Sequence, residues 1–257
     1  MAAIRLHINN VWYKDNGKNI LQGVNLAVPC GEGIGLCDPT GLSGAELLQI
    51  CATLLEPTQG EIYLDGIPIP FDREIDLLPL RRKIAYVAED TALISNLTLL
   101  QNVSLGWAYY ENKSLQDVWE EGERLLTYFQ VNDYKDLHPT EVNAEIFKRA
   151  VCAREMAKKP ILILLDRIID TLSTEGQTLL MSYVGKCLRE MGSSLLVAST
   201  SAASFASLSA LISRSYTLEE GRLAGENPAC GRPSPAQERT PPGLTQGGTA
   251  SDYGNEV

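Results

Sequence analysis

Apolar and polar positions alternate through Ile4-Arg5-Leu6-His7-Ile8, and VWY (11–13) follows. After the polar turn KDNGKN, alternation returns in ILQGVNLAV (20–28), so residues 4–29 read as short strands. Gly31-Glu32-Gly33 is a turn, and Ile34-Gly35-Leu36-Cys37 is a compact buried strand. A loop spans Gly41 to Gly44. Apolar residues at 47, 48, 50, 51, 54 and 55 then form a helical stripe that ends at Pro57-Thr58-Gln59-Gly60. Glu61 to Gly66 read as a strand and turn, and RRKIAYVAED (81–90) holds another buried strand.

From about 99 to 159 the pattern is helical. Ile161-Leu162-Ile163-Leu164-Leu165-Asp166 is a continuous apolar run closed by a carboxylate. Such a strand is buried on both faces, as in a parallel sheet covered by helices. A helix over about 175–191, a buried strand at Ser194–Ala198 and a closing hairpin at 215–224 complete the ordered pattern. From 226 the periodicity ends. The last 32 residues hold five of the 13 prolines and five of the 21 glycines, so 226–257 is expected to be a disordered tail. The expected fold class is α/β: a P-loop-type parallel core, an N-terminal antiparallel β subdomain, and a helical subdomain at about 99–159.

Composition narrows the function. A net charge of −10 argues against a nucleic-acid surface, which needs clustered Lys and Arg. Cysteines 30, 37, 51, 152, 187 and 230 show neither zinc-like spacing nor a disulfide framework. No apolar run reaches the ~18 residues of a membrane span, and the N-terminus lacks a signal-peptide pattern. A cytoplasmic location is the expectation.

Strand, glycine-containing loop, helix, then a later apolar strand ending in Asp is the order of a P-loop fold. Five stretches make the likeness narrower: NILQGVNLAV, LLEPTQGEIYLDG, LRRKIAYVAEDTALISNLTLLQNVSLG, AEIFKRAVCAREMAKKPILILLD and YTLEEGRLAGE. Across 4–224 the chain resembles the nucleotide-binding subunit of ABC transporters. Its Q-loop region is similar to importer-type and lipid-trafficking (MCE-associated) branches.

The resemblance assigns the family's working positions, and most have changed. The P-loop G-x-x-x-x-G-K-[ST] falls on Asp38 to Ala45, DPTGLSGA. Asp38 and Ser43 stand at the glycines, Gly44 at the Lys, and Ala45 at the metal-binding hydroxyl. Pro39 and the internal Gly41 remain. Glu89 stands at the Q-loop Gln, and Val142-Asn143-Ala144-Glu145-Ile146 at the signature LSGGQ. Asp166 retains the Walker B acid, but Arg167 replaces the catalytic Glu. Ser173 stands at the D-loop Asp and Thr200 at the switch His. Tyr13 remains at the adenine-stacking position. The vestigial nucleotide-binding set is therefore Tyr13, Pro39, Gly41 and Asp166, with no catalytic and no metal-ligating residue.

These changes remove the Lys charge and the Mg²⁺ ligand, and they place Asp38 and Glu46 near the phosphate position. Losing one transition-state donor costs roughly 2.7–4 kcal/mol, and several are gone. Arg167 stays charged and cannot accept a proton. Neither ATP nor Mg²⁺ is expected to be held tightly. The bland readings make Asp38 and Glu46 solvated residues favoured by a helix dipole, Glu145 a surface helix residue, and Arg167 a surface partner of Asp166 or Asp170. Trp107, Tyr109, Tyr110 and Trp119 read as core and rim packing, or as a face for a transmembrane partner.

The sequence reading is thus a catalytically degenerate subunit, a scaffold or regulator at the cytoplasmic face of the membrane. Its expected partners are an integral-membrane permease, docked near Glu89 to Gly106, and a second cassette, identical or an active ABC ATPase. The alternatives are an ATPase with displaced residues and a soluble interaction protein that kept the fold.

Overall fold

The computed structural model describes residues 3–110 and 115–228. Two long strands, β1 (Ile4–Asp15) and β2 (Lys18–Pro29), pair antiparallel and replace the short strands expected there. Register shifts at Ile8/Val11 and Val11/Tyr13 break their alternation, which is why the pattern looked segmented. β4 (Gln59–Leu64) and β5 (Ile67–Pro68) complete a four-stranded sheet of order β2-β1-β4-β5.

The second sheet has six strands in the order β10-β9-β3-β8-β7-β6. β3 (Gly33–Cys37), β6 (Ile84–Ala88), β7 (Leu162–Asp166), β8 (Ser194–Ser199) and β9 (Ile212–Glu219) run parallel, and β10 (Arg222–Pro228) returns antiparallel along the edge. β10 continues three residues into the stretch read as tail; 229–257 lie outside the described residues. The two-residue turns Asn16-Gly17, Asp65-Gly66 and Glu220-Gly221 have both residues at positive φ, the mirror-image turn that matches strand twist.

The continuous apolar run of β7 is divided between two cores. Leu162 and Leu164 face one side, with Leu196, Ile34, Leu36 and helix α1 (Ser43–Cys51). Ile163 and Leu165 face the other, with Leu195 and Val197, under α5 (Ala144–Ala157) and α7 (Thr174–Met191). Each fully buried Leu or Ile there contributes roughly 1.5–3 kcal/mol, which makes this strand the centre of the molecule. α3 (Leu99–Tyr110) and α4 (Leu115–Tyr128) pack on α5 as the helical subdomain. Trp107 is buried in its core and Trp119 is 45% exposed. The side chains of Tyr109 and Tyr110 lie outside the described set.

α2 (Glu74–Arg81) and the single-turn α6 (Ile168–Thr171) carry no clear apolar stripe and escape the pattern. α2 buries only Leu77 and contains Pro79. No helix of the described residues is long and apolar enough to cross a membrane.

Candidate functional site

The parallel strands end together, and that end is where open α/β sheets hold ligands. β3 gives way at Asp38 to the loop that starts α1. β7 gives way at Asp166 to Arg167, whose φ of 53° turns the chain sharply into α6. β8 ends at Ser199, followed by Thr200. Asp38, Gly41, Gly44, Asp166, Arg167 and Thr200 line a shared cleft with no room for a water molecule.

Asp38 is 2% exposed, not a solvated loop residue. Its backbone N–H donates to Ser199 O at 2.9 Å, tying the loop to β8. Its carboxylate accepts three hydrogen bonds. Gly44 N–H donates to Oδ2 at 2.7 Å; the Thr40 N–H and hydroxyl donate to Oδ1 at 3.0 and 2.6 Å. The N-cap residue, Leu42, offers no side-chain acceptor, so Asp38 caps α1 from the preceding loop. Ser43 turns away and donates to the Ile20 carbonyl at 3.1 Å. A Cβ on Gly44 would meet Ala198 Cβ at 3.3 Å and Asp38 Oδ2 at 3.5 Å.

Glu46, half-buried one turn into α1, has an Oε2 with no hydrogen-bond partner. Burial raises its pKa, and Asp166, Asp38 and Asp15 add repulsion. The solvated first-turn reading of Glu46 is thus corrected as well. Asp166 is 2% exposed, and burial raises its pKa against the pull of Arg167. The Arg167 Nε lies 3.4 Å from Asp166 Oδ1 without hydrogen-bond geometry, and both atoms are otherwise unpartnered. The Tyr86 hydroxyl donates to Asp166 Oδ2 at 3.4 Å. Arg167 Nη1 also reaches Glu89 at 4.0 Å, which joins the family's catalytic-Glu and Q-loop positions in one ion pair. Asp170, the other partner expected for Arg167, instead accepts from Ser199 and Ser204.

Of the retained positions, Gly41 and Asp166 line the cleft, whereas Pro39 and Tyr13 do not. Gly41 sits at φ 72°, the left-handed region, against the Thr200 methyl. Pro39 is exposed at the loop tip. Tyr13 is half-buried on β1 and packs on the core beneath the N-terminal sheet.

Glu145 is not a free surface residue. The Ser173 N–H and hydroxyl donate to it at 3.0 and 2.5 Å, and Arg149 Nε at 2.7 Å. Burial opposes its charge, but Ser173 and Arg149 outweigh that and hold its pKa low. Arg149, itself buried, also donates to Glu175 at 2.8 Å. The signature-position segment is thereby fastened to the start of α7. Sequence reasoning missed this network and the Asp38 cap. For Asp38 a signal was present: an Asp two residues before Thr40 is the pattern of an Asx turn.

A model of the ABC transporter family matches residues 21–169. The lipoprotein-releasing system ATP-binding protein LolD of Aquifex aeolicus is 29% identical over 227 residues, 88% of this chain and 98% of LolD. The phosphonates import ATP-binding protein PhnC 2 of a Synechococcus strain is 29% identical over 188 residues, 70% of each chain. The ATP-binding cassette MJ0796, solved as a dimer bound to ADP and Pi, superposes with a TM-score of 0.79 at 26% identity. That alignment covers 88% of this chain and all of the cassette. With the matched fold, the collinear motifs and a family model spanning more than half its residues, the chain belongs to the ABC transporter family, among its ATP-binding subunits.

Proposed function

We propose that this chain is a catalytically degenerate ATP-binding subunit of an ABC transporter complex, retained as a scaffold or regulator. The carrying observation is Asp38, whose carboxylate occupies the donors a nucleotide phosphate would need. The residues present do not fit a magnesium nucleotide. No ammonium stands at Gly44 and no hydroxyl at Ala45, and Asp38, Glu46 and Asp166 present carboxylates where phosphate charge would gather. Arg167 at the base position is a permanent cation and accepts no proton.

The second half of the family's composite site is altered too. Glu145 takes up the Ser173 N–H and hydroxyl and pairs with Arg149, so the signature position carries a carboxylate engaged within the chain. In this reading the chain meets a second cassette, identical or active, and an integral-membrane permease from the cytoplasmic side. The segment Glu89–Gly106 is the docking region.

Two measurements test it. Steady-state ATP hydrolysis by the purified chain is expected at background; turnover near 1 s⁻¹, the low end of ordinary enzymes, overturns the reading. Extraction in mild detergent should co-purify a membrane permease, and a chain that leaves the membrane alone with its permease present counts against a scaffold.

A further inference from the structure

We propose that Arg154, Glu155 and Lys158 of α5 form a clip that sets the segment after β6 in one conformation, independently of nucleotide. That this segment meets a permease rests on the function proposed for the chain. The clip itself rests on hydrogen bonds within it.

β6 is an edge strand, last in the order of its sheet. Its outer row of backbone groups therefore needs partners from outside the sheet. Lys158 Nζ donates to Ile84 O at 3.2 Å, and the Tyr86 N–H donates to Glu155 Oε2 at 3.4 Å. The Ala88 N–H donates to the Thr91 hydroxyl at 2.8 Å. Every second residue of a strand turns its backbone groups to the same edge, so 84, 86 and 88 form one row. Arg154 Nη1 extends that row past the strand end by donating to Ala92 O at 2.6 Å.

The three side chains hold one another. Glu155, 4% exposed, accepts from Arg154 Nε at 3.1 Å and pairs with Lys158 Nζ at 2.6 Å. Arg154 thus spends one nitrogen on Glu155 and another on Ala92, a fork that a lysine cannot reproduce. Loss of either cation would leave a buried carboxylate poorly compensated, which resists disturbance of the clip. Its base is fixed too. α5 buries Val151, Cys152 and Met156 in the core, and its first turn is fastened to Ser173 through Glu145 and Arg149.

Beyond Ala92 the segment is held from α3. The Asn102 side chain accepts from the Ile94 N–H at 2.8 Å, and its amide nitrogen lies 3.0–3.1 Å from the carbonyl oxygens of Ile94, Leu97 and Thr98. Leu93, between the two anchors, is buried, and Ile94 faces outward. Neither anchor draws on the 38–44 loop, Asp166, Arg167 or Thr200, so the conformation of the segment does not depend on what those residues hold.

Hydrogen exchange of the full chain tests the clip without a permease. In the parent, the amides of Thr91, Ile94 and Leu97 should exchange at the same rates with and without millimolar magnesium ATP. Arg154→Gln should speed those three amides about tenfold or more, the scale of one hydrogen bond from a charged donor. That factor should exceed any change at Leu164 and Val197, whose central-strand amides report global unfolding. A merely structural role would move both sets alike. Glu155→Gln keeps an acceptor for the Tyr86 N–H but loses the charge that orients Arg154, and should speed the three amides about threefold or more.

The proposal fails if Thr91, Ile94 and Leu97 speed no more than Leu164 and Val197, if Glu155→Gln leaves them at parent rates, or if magnesium ATP shifts them in the parent. Should Arg154→Gln fold poorly, Arg154→Lys replaces it. That variant keeps the charge beside Glu155 and loses the fork, so the same local loss is expected and its absence is failure. Permease co-purification and ATP turnover decide the proposed function and do not enter this result, so the two fail separately.

Discussion

Asp38 and Asp166 line one small cleft and Glu46 lies close enough to feel both charges, yet their environments differ. Asp38 has three donors; Asp166 has one long hydroxyl contact and a strained partner in Arg167. Burial raises the Asp166 pKa above its unfolded value, so the folded chain holds the proton more tightly than the unfolded chain does. Its stabilising contribution is therefore complete below the unfolded pKa and is lost as pH rises through the folded one. Asp166→Asn should raise the melting temperature at pH 7.5, with each kcal/mol read as about 2–4 °C. The gain should shrink as pH falls toward the unfolded carboxylate value. A variant that melts lower than the parent across that whole range would show that the ion pair with Arg167 outweighs the burial cost.

Arg149 presents the opposite case, a buried cation with good partners. It bridges Glu145 and Glu175 and lies within 3.2 Å of the Ser173 hydroxyl. Removing one partner of a buried pair costs roughly 3–5 kcal/mol, and Glu145 and Glu175 are partly solvated. Arg149→Ala should thus cost about 2–3 kcal/mol, read from the urea midpoint at unchanged slope. A loss below about 1 kcal/mol would mean that the two glutamates are indifferent to it. The acids and bases were visible in the chain, but their pairing was not, because Glu145 and Ser173 stand 28 residues apart.

At the level of elements, the β9–β10 hairpin ties the two sheets together. Gln22 of β2 donates its N–H to Gly221 O at 2.8 Å and its side-chain amide to Glu220 O at 2.8 Å. Gly221 has φ 77°, and a Cβ there would fall 2.1 Å from the Ile20 carbonyl oxygen. Gly221→Ala therefore meets both a forbidden backbone region and a backbone clash. It should cost at least about 2 kcal/mol in chemical denaturation, and a change under about 0.5 kcal/mol would show that the turn is free to move away. β3, β6, β7 and β8 were legible because a strand buried on both faces writes a continuous apolar run. α2 was not, because one buried Leu in eight residues leaves no period.

Over the whole molecule, the proposed degenerate reading has the departures at the family's working positions act together. Gly44→Lys restores the one residue most associated with phosphate binding. The Cβ of the new side chain would lie 3.5 Å from Asp38 Oδ2, and its ammonium is expected to pair with a nearby carboxylate rather than await a phosphate. No ATP turnover should follow from this single repair in a coupled phosphate-release assay. Turnover near 1 s⁻¹ would show that the Lys alone was limiting and would overturn the argument from Arg167 and Asp38.

The order of elements, the family and the altered positions were fixed by the chain alone, because period, spacing and residue type are local properties. Collinear spacing placed Asp38, Gly44 and Arg167 at the loop and strand ends without a structure. Folding decided which altered residue neutralises which. It buried Asp38 against its own helix, set Arg167 between Asp166 and Glu89, and closed Glu145 onto Ser173. Those outcomes depend on which strand ends meet and which side chains lose water, and desolvation is a property of the packed molecule.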